Sequence, residues 1–130
     1  MWKPAKINLL ELLAPHPPRT NFHVIAVDEE YTVRVAKTIG RFPWHSHPNG
    51  DEGWFIFEGR LGIHTTDGML ELNRGDFTVI PRGVCHSPEA LVPNTIVIIF
   101  NRRDLGMTLQ DSNVDLGGFE ENDLTQKSNE

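Results

Sequence analysis

The sequence predicts a single all-β domain of the sandwich, jelly-roll or small-barrel kind, and three observations carry that reading. The chain has 130 residues, room for one domain with a real apolar core and for no second one. From Phe22 to Phe100 it runs in short stretches rich in Val, Ile, Phe and Thr, divided by Gly, Pro, Asn and Asp at roughly ten-residue intervals. No solenoid-type repeat and no long helical periodicity interrupts that rhythm. The rhythm alone leaves the three architectures open.

The elements follow in order. Residues 1–21 form an N-terminal arm in which Asn8 to Leu13 reads as one or two helical turns. Asn8 is the N-cap, Glu11 three residues on completes a capping-box pattern, and Pro15, Pro17 and Pro18 stop the helix. A barrel is expected over 22–103, with strands Phe22 to Val27, Thr32 to Ile39, Gly53 to Glu58, Leu61 to Thr65, Met69 to Leu72, Phe77 to Ile80 and Thr95 to Asn101. Thr66-Asp67-Gly68 and Asn73-Arg74-Gly75-Asp76 have turn chemistry. Residues 104–130 are acidic, poor in β-branched residues and end in DLTQKSNE, which predicts a mobile tail without a catalytic role.

Composition narrows the partners. A net charge of -6 and the lack of any basic run argue against nucleic acid and anionic membrane surfaces, which want clustered Lys and Arg. Cys85 is the only cysteine, so an intramolecular disulfide is impossible and a reducing, cytoplasmic setting is the expectation. The opening apolar stretch is interrupted by Glu11 and is unlike a secretory signal. No apolar run is long enough to span a bilayer as a helix.

Chemistry concentrates between residues 40 and 86. His45 and His47 are two apart, so on an extended strand both imidazoles leave the same face and can share one ion. Pro48 to Asp51 form a turn that brings Glu52 back beside them, and His86 lies in a second hairpin segment where it can supply a fourth ligand. An HxH pair taken alone is a weak metal signal, since histidine is also a common polar surface residue. Neutral imidazoles with a carboxylate suit one borderline divalent ion: iron, manganese, nickel, copper, cobalt or zinc. Four protein ligands around a six-coordinate ion leave two positions for water or substrate.

The spacing of the whole set resembles the two cupin motifs. The first is Gly40-x4-His45-x-His47-x4-Glu52-x6-Gly59 and the second is Gly75-x5-Pro81-x-Gly83-x2-His86. The resemblance implies a double-stranded β-helix, a jelly-roll barrel with the metal inside it, held by His45, His47, Glu52 and His86. It also implies that Gly40, Gly59 and Gly75 mark strand ends and turns, while Pro81 and Gly83 shape the bend before His86. Two positions depart from the pattern. Four residues rather than the frequent five separate Gly40 from the HxH, and Ala90 stands where the second motif often closes with Asn.

Other residues are assigned more plainly. Cys85 is read as a buried thiol pointing away from the metal, because alternation opposes it to His86. Trp54, on Glu52's face, is a candidate pocket residue, Glu58 and His64 are candidate acids or bases, and His16 and His23 have no partner spacing. Both faces of Gly53-Trp54-Phe55-Ile56-Phe57 are apolar, which predicts packing between two sheets or a homodimer. The expected activity is that of a metal-dependent small-molecule enzyme, a dioxygenase-type oxidoreductase or a sugar or enol isomerase. The alternative is a binding or sensing module without turnover.

Overall fold

Alternation of apolar and polar side chains becomes one curled, mostly antiparallel sheet. The computed structural model describes residues 5–18, 22–27, 29–109 and 121–123. Its elements are α1 (Leu9–Leu13), β1 (Phe22–Val27), β2 (Tyr31–Arg41), β3 (His45–Ser46), β4 (Glu52–Glu58), β5 (Arg60–Thr65), β6 (Gly68–Asn73), β7 (Phe77–Ile80), β8 (Ser87–Arg102), β9 (Thr108–Leu109) and β10 (Glu121–Asp123). The sheet runs β10-β1-β2-β8-β4-β7, with β5 paired to both β6 and β8, and β3 pairs with β9 separately. Of these pairs only β1–β10 is parallel.

The helix starts as the sequence predicts: Asn8 Oδ1 accepts the Glu11 N–H at 3.0 Å. Its apolar side is not spent inside the barrel. Leu13, Val35 and Ile96 form a cluster with Leu9, Leu12, Ile25, Phe57 and Ile98 on the outer face of the sheet. The inner face is a separate core that includes Phe22, Ala36, Phe42, Trp54, Ile56, Leu61, Ile63, Val97 and Ile99. This two-sided burial explains why β2, β4 and β8 carry apolar residues on both faces.

β8 is longer than expected. Its first half, Ser87 to Asn94, contains Pro88 and Pro93 and reads as loop in the sequence, yet it pairs with β5 from Ser87 to Ala90. The strand then turns at Asn94, whose φ is +62°, and from Ile96 pairs with β4. One 16-residue strand thus crosses a corner and joins two hairpins.

Of Asp104 to Leu109, placed by the sequence reading in the tail, Leu105 and β9 pack against the barrel. Leu105 is buried, and β9 lies antiparallel to β3 with Leu109 opposite His45. Most of the remaining tail, 110–120 and 124–130, lies outside the described residues.

Candidate metal centre

Two extended segments, Phe42 to His47 and Gly83 to Pro88, lie antiparallel and place the three histidines. Phe42 N–H donates to Pro88 O at 2.8 Å and Gly83 N–H to His47 O at 2.9 Å. Between them His45 and His86 exchange both backbone bonds, at 3.0 and 2.8 Å, so these two residues are directly opposed. The ring centroids lie 4.9 Å apart for His45–His47, 4.3 Å for His45–His86 and 5.4 Å for His47–His86. One donor atom from each falls within 4.8 Å of the others, and all three side chains are buried.

Glu52 opens β4 after the turn at 48–51. That turn is tied down by Arg82 N–H, which donates to Asp51 Oδ1 at 2.9 Å, and by Asn49 Nδ2, which donates to Asp104 O at 2.6 Å. The carboxylate arrives with Oε2 3.4 Å from His47 Nε2 and Oε1 3.5 Å from His86 Nε2. These separations are long for hydrogen bonds. They fit two donors sharing one ion: with each about 2.1 Å from the metal, neighbouring ligands sit about 3.0 to 3.4 Å apart.

The far side of each ring settles which nitrogen faces inward. His45 Nδ1 lies 2.6 Å from Pro43 O, His47 Nδ1 2.7 Å from Gly106 O and His86 Nδ1 2.9 Å from Val84 O. A carbonyl only accepts, so each Nδ1 carries the hydrogen and each neutral ring turns the lone pair of Nε2 to the centre. Buried Nε2 of His47 and of His86 have no hydrogen-bond partner, a state that is costly unless something coordinates them. The donor set fits a borderline divalent ion on this observation.

Electrostatics separate the four groups. Burial, with His86 beside it, lowers His45 to about 4, so it is neutral throughout the ordinary pH range. Burial would lower His47 too, but the Glu52 carboxylate outweighs it and the net shift is upward. For Glu52, burial alone would raise the carboxyl; His47, His86 and Arg34 outweigh it and hold it well below the usual range.

Other residues singled out in the sequence take different places. Trp54 is buried in the core and its indole N–H donates to Glu52 Oε1 at 2.7 Å, so it holds the carboxylate. Glu58, at the end of β4, faces Arg74 Nε at 3.4 Å on the surface. His64 alternates with the core residues Leu61 and Ile63, points outward and meets Glu89 Oε1 at 2.8 Å. The rings of His16 and His23 meet at a tilt of 46° with centroids 4.6 Å apart. Cys85 is half-buried, and burial raises its thiol above the usual value.

Sequence reading missed Arg34. Its Nη2 donates to Glu52 Oε2 at 3.1 Å and to Asn101 Oδ1 at 2.6 Å, and its guanidinium lies 5.1 Å from the Phe22 ring centroid. The available signal was alternation: Arg34 shares the inward register of Ala36 and Thr38, where a charge is out of place without a partner.

Residues 31–100 match the family model Cupin_2, described as the cupin domain. The chain belongs to the Cupin_2 family. This cupin is 34% identical over 73 residues to an uncharacterised protein, YdbB, of Bacillus subtilis (strain 168), a match over 55% of this chain and 64% of that protein. Among solved structures, it superposes on a cupin-2 domain containing protein from Shewanella frigidimarina with a TM-score of 0.70 and 32% identity, over 75% of this chain and 94% of that one. It shares the fold, at a TM-score of 0.59 and 16% identity over 78% and 82% of the two chains, with hydroquinone 1,2-dioxygenase from Sphingomonas sp. TTNP3. Its barrel is therefore the double-stranded β-helix that the motifs implied.

Proposed function

We propose that this cupin holds one divalent metal ion per chain through His45, His47, Glu52 and His86. The reading extends to a metal-dependent reaction on a small oxygen-bearing molecule, by oxidation of the dioxygenase type or by isomerisation of a sugar or enol. One observation carries it. Three buried imidazoles commit Nδ1 to backbone carbonyls and aim Nε2 at a common point, with an ionised carboxylate beside two of them. When bound, the ion would act as a Lewis acid with coordination positions left for a ligand. The protein's own part is to keep His45 neutral and the three histidines oriented, to hold Glu52 ionised and to keep water scarce around them. Arg34 and Trp54 fix Glu52 from behind.

Elemental analysis of the purified protein tests the site: about one divalent ion per chain is expected, consistent with a single donor set. His47→Ala or His86→Ala should lose most of it. A metal content no higher than in those variants defeats the assignment. Oxygen uptake or product formation that requires the metal supports the enzyme; ligand-dependent melting shifts with no product support the binding module instead. A cytoplasmic setting accords with the single, unpaired Cys85.

We also infer a homodimer. The outer sheet face leaves Phe77, Val79 and Phe100 together and exposed around Gly53, beyond the part that α1 covers.

A further inference from the structure

The geometry points to residues 104–109 as a strap that positions His47 for the metal ion, with the Gly106 carbonyl as its working group. The inference rests on the metal reading above and concerns how that same site is held ready. Backbone carbonyls fix all three ring hydrogens, but they do not fix them alike. His45 and His86 give Nδ1–H to Pro43 O and Val84 O, each two residues back on the same extended segment. Once the ribbon of 42–47 against 83–88 forms, both acceptors are in place. His47 gives its hydrogen to Gly106 O at 2.7 Å, 59 residues away and beyond the end of β8. The barrel can therefore be complete while the acceptor of one ligand is displaced.

The strap is joined to the site at several points and buried at one. Asn49 Nδ2 donates to Asp104 O at 2.6 Å and Asn49 N–H to Leu105 O at 3.2 Å, which ties the strap to the turn that follows His47. Leu105 is the buried anchor, and β9 sets Leu109 and Thr108 opposite His45 and Ser46. Arg102 grips Asp104 through Nε at 3.0 Å and Nη2 at 3.2 Å and so fixes the bend out of β8. Gly106 has a φ of +70°, and a Cβ there would stand 3.1 Å from Asn49 Nδ2 and 3.3 Å from Pro48 Cγ. Glycine is needed twice over, for the left-handed backbone that aims the carbonyl and for the close approach. Gly106, Met107 and Thr108 are exposed, so a segment this short opens at far lower cost than the barrel. Opening leaves the His47 ring free to turn or to carry its hydrogen on Nε2, the atom the metal needs. Strap closure and metal binding then favour each other by the same factor.

The test compares two glycine substitutions in the full chain. Gly106→Ala and Gly75→Ala both force alanine into left-handed backbone, at φ of +70° and +89°, but Gly75 lies in the turn between β6 and β7 with open space around it. Zinc affinity, read by chelator competition, is expected to fall roughly 10- to 100-fold in Gly106→Ala and to stay within about threefold of wild type in Gly75→Ala. Asn49→Ala, which leaves residue 106 untouched, is expected to weaken zinc binding as well. Hydrogen exchange supplies the reciprocal readout: zinc should slow exchange over 104–109 in the wild type. Zinc affinity unchanged in both Gly106→Ala and Asn49→Ala overturns the proposal. Equal losses in Gly106→Ala and Gly75→Ala also overturn it, by making the effect one of general backbone strain. Should Gly106→Ala not fold, Asn49→Ala and the exchange experiment decide, and wild-type exchange over 104–109 that ignores bound zinc counts against the strap. A wild-type chain that takes up no zinc is a different result and defeats the metal reading itself.

Discussion

Each imidazole of the centre is aimed by the group behind it, and the same holds for the carboxylate. Trp54 supplies Glu52 Oε1 with a donor at 2.7 Å. Phenylalanine keeps the ring and loses that N–H, so Trp54→Phe leaves Glu52 freer to turn. A loss of roughly 10- to 100-fold in metal affinity is expected, the usual effect of removing such an outer partner. Competition with a coloured chelator measures it, and an affinity equal to wild type would show that the indole does not position the carboxylate. The proton on His47 gives a second prediction. Its pKa lies above the ordinary 6.5 because Glu52 attracts the charged form more than burial opposes it. The proton is therefore bound below that raised value and must leave for the ion to bind, while His45, at about 4, has none to lose. Metal affinity should fall as pH is lowered through that raised value, with a proton released per ion below it. Calorimetry in buffers of different ionisation heat counts that proton; a count of zero at a pH below the ordinary 6.5 would contradict the account. That His45, His47, Glu52 and His86 come together was legible in the sequence because their residue types and spacing follow the two motifs. Arg34 was not, because a charged residue in a strand reads as solvent-facing until its partner on a strand distant in sequence is known.

At the scale of elements, the ribbon of 42–47 against 83–88 and the corner where β8 changes partners do most to shape the barrel. The corner is built around Thr95, whose hydroxyl lies 2.8 Å from Val92 O and 3.1 Å from both Arg60 N and Arg60 O. Thr38 Oγ1 donates to Thr95 O at 2.8 Å. Gly59 passes against this residue with φ of +88°, and a Cβ there would lie 2.8 Å from Thr95 Cα. Gly59→Ala combines an unfavourable left-handed backbone with a clash against main chain, so a loss of about 2 to 4 kcal/mol is expected. Urea denaturation measures it, and a loss under about 0.5 kcal/mol, the scale of a neutral surface change, would show that the corner yields easily. Most strands were legible because alternation over a half-buried sheet is a local pattern. The first half of β8 was not, since Pro88 and Pro93 signal a break; both are accommodated in a bent strand whose pairing is set by distant β5. The β3–β9 pair was missed for its length, two residues a side.

At the scale of the whole molecule, the apolar surface outside the barrel is unevenly covered. The helix α1 sits on one part of the outer sheet face. Farther along, Phe77 is 56% exposed, Val79 47% and Phe100 43%. Glycine at position 53 is what gathers them: Phe77 Cζ lies 3.2 Å and Phe100 Cβ 3.7 Å from where a Cβ would stand, so the two rings meet over bare backbone with centroids 6.5 Å apart. Among the described strands β7 pairs with β4 alone, so its other edge also offers unpaired backbone groups. An apolar patch beside an open edge is a site of association unless covered. A second copy would cover it with the same patch about a two-fold axis, which would close the assembly at two and leave no surface for growth. Burial of about 800 Å² per partner is what a stable interface of that kind requires. Light scattering after size-exclusion chromatography should give twice the chain mass at micromolar concentration. Phe77→Glu places a charge in the middle of the patch and should give a monomer that still binds one metal ion, because Phe77 faces away from the histidines across the sheet. A wild-type protein that runs as a clean monomer ends the dimer inference without touching the metal site, and a Phe77→Glu protein that stays dimeric moves the interface to another face.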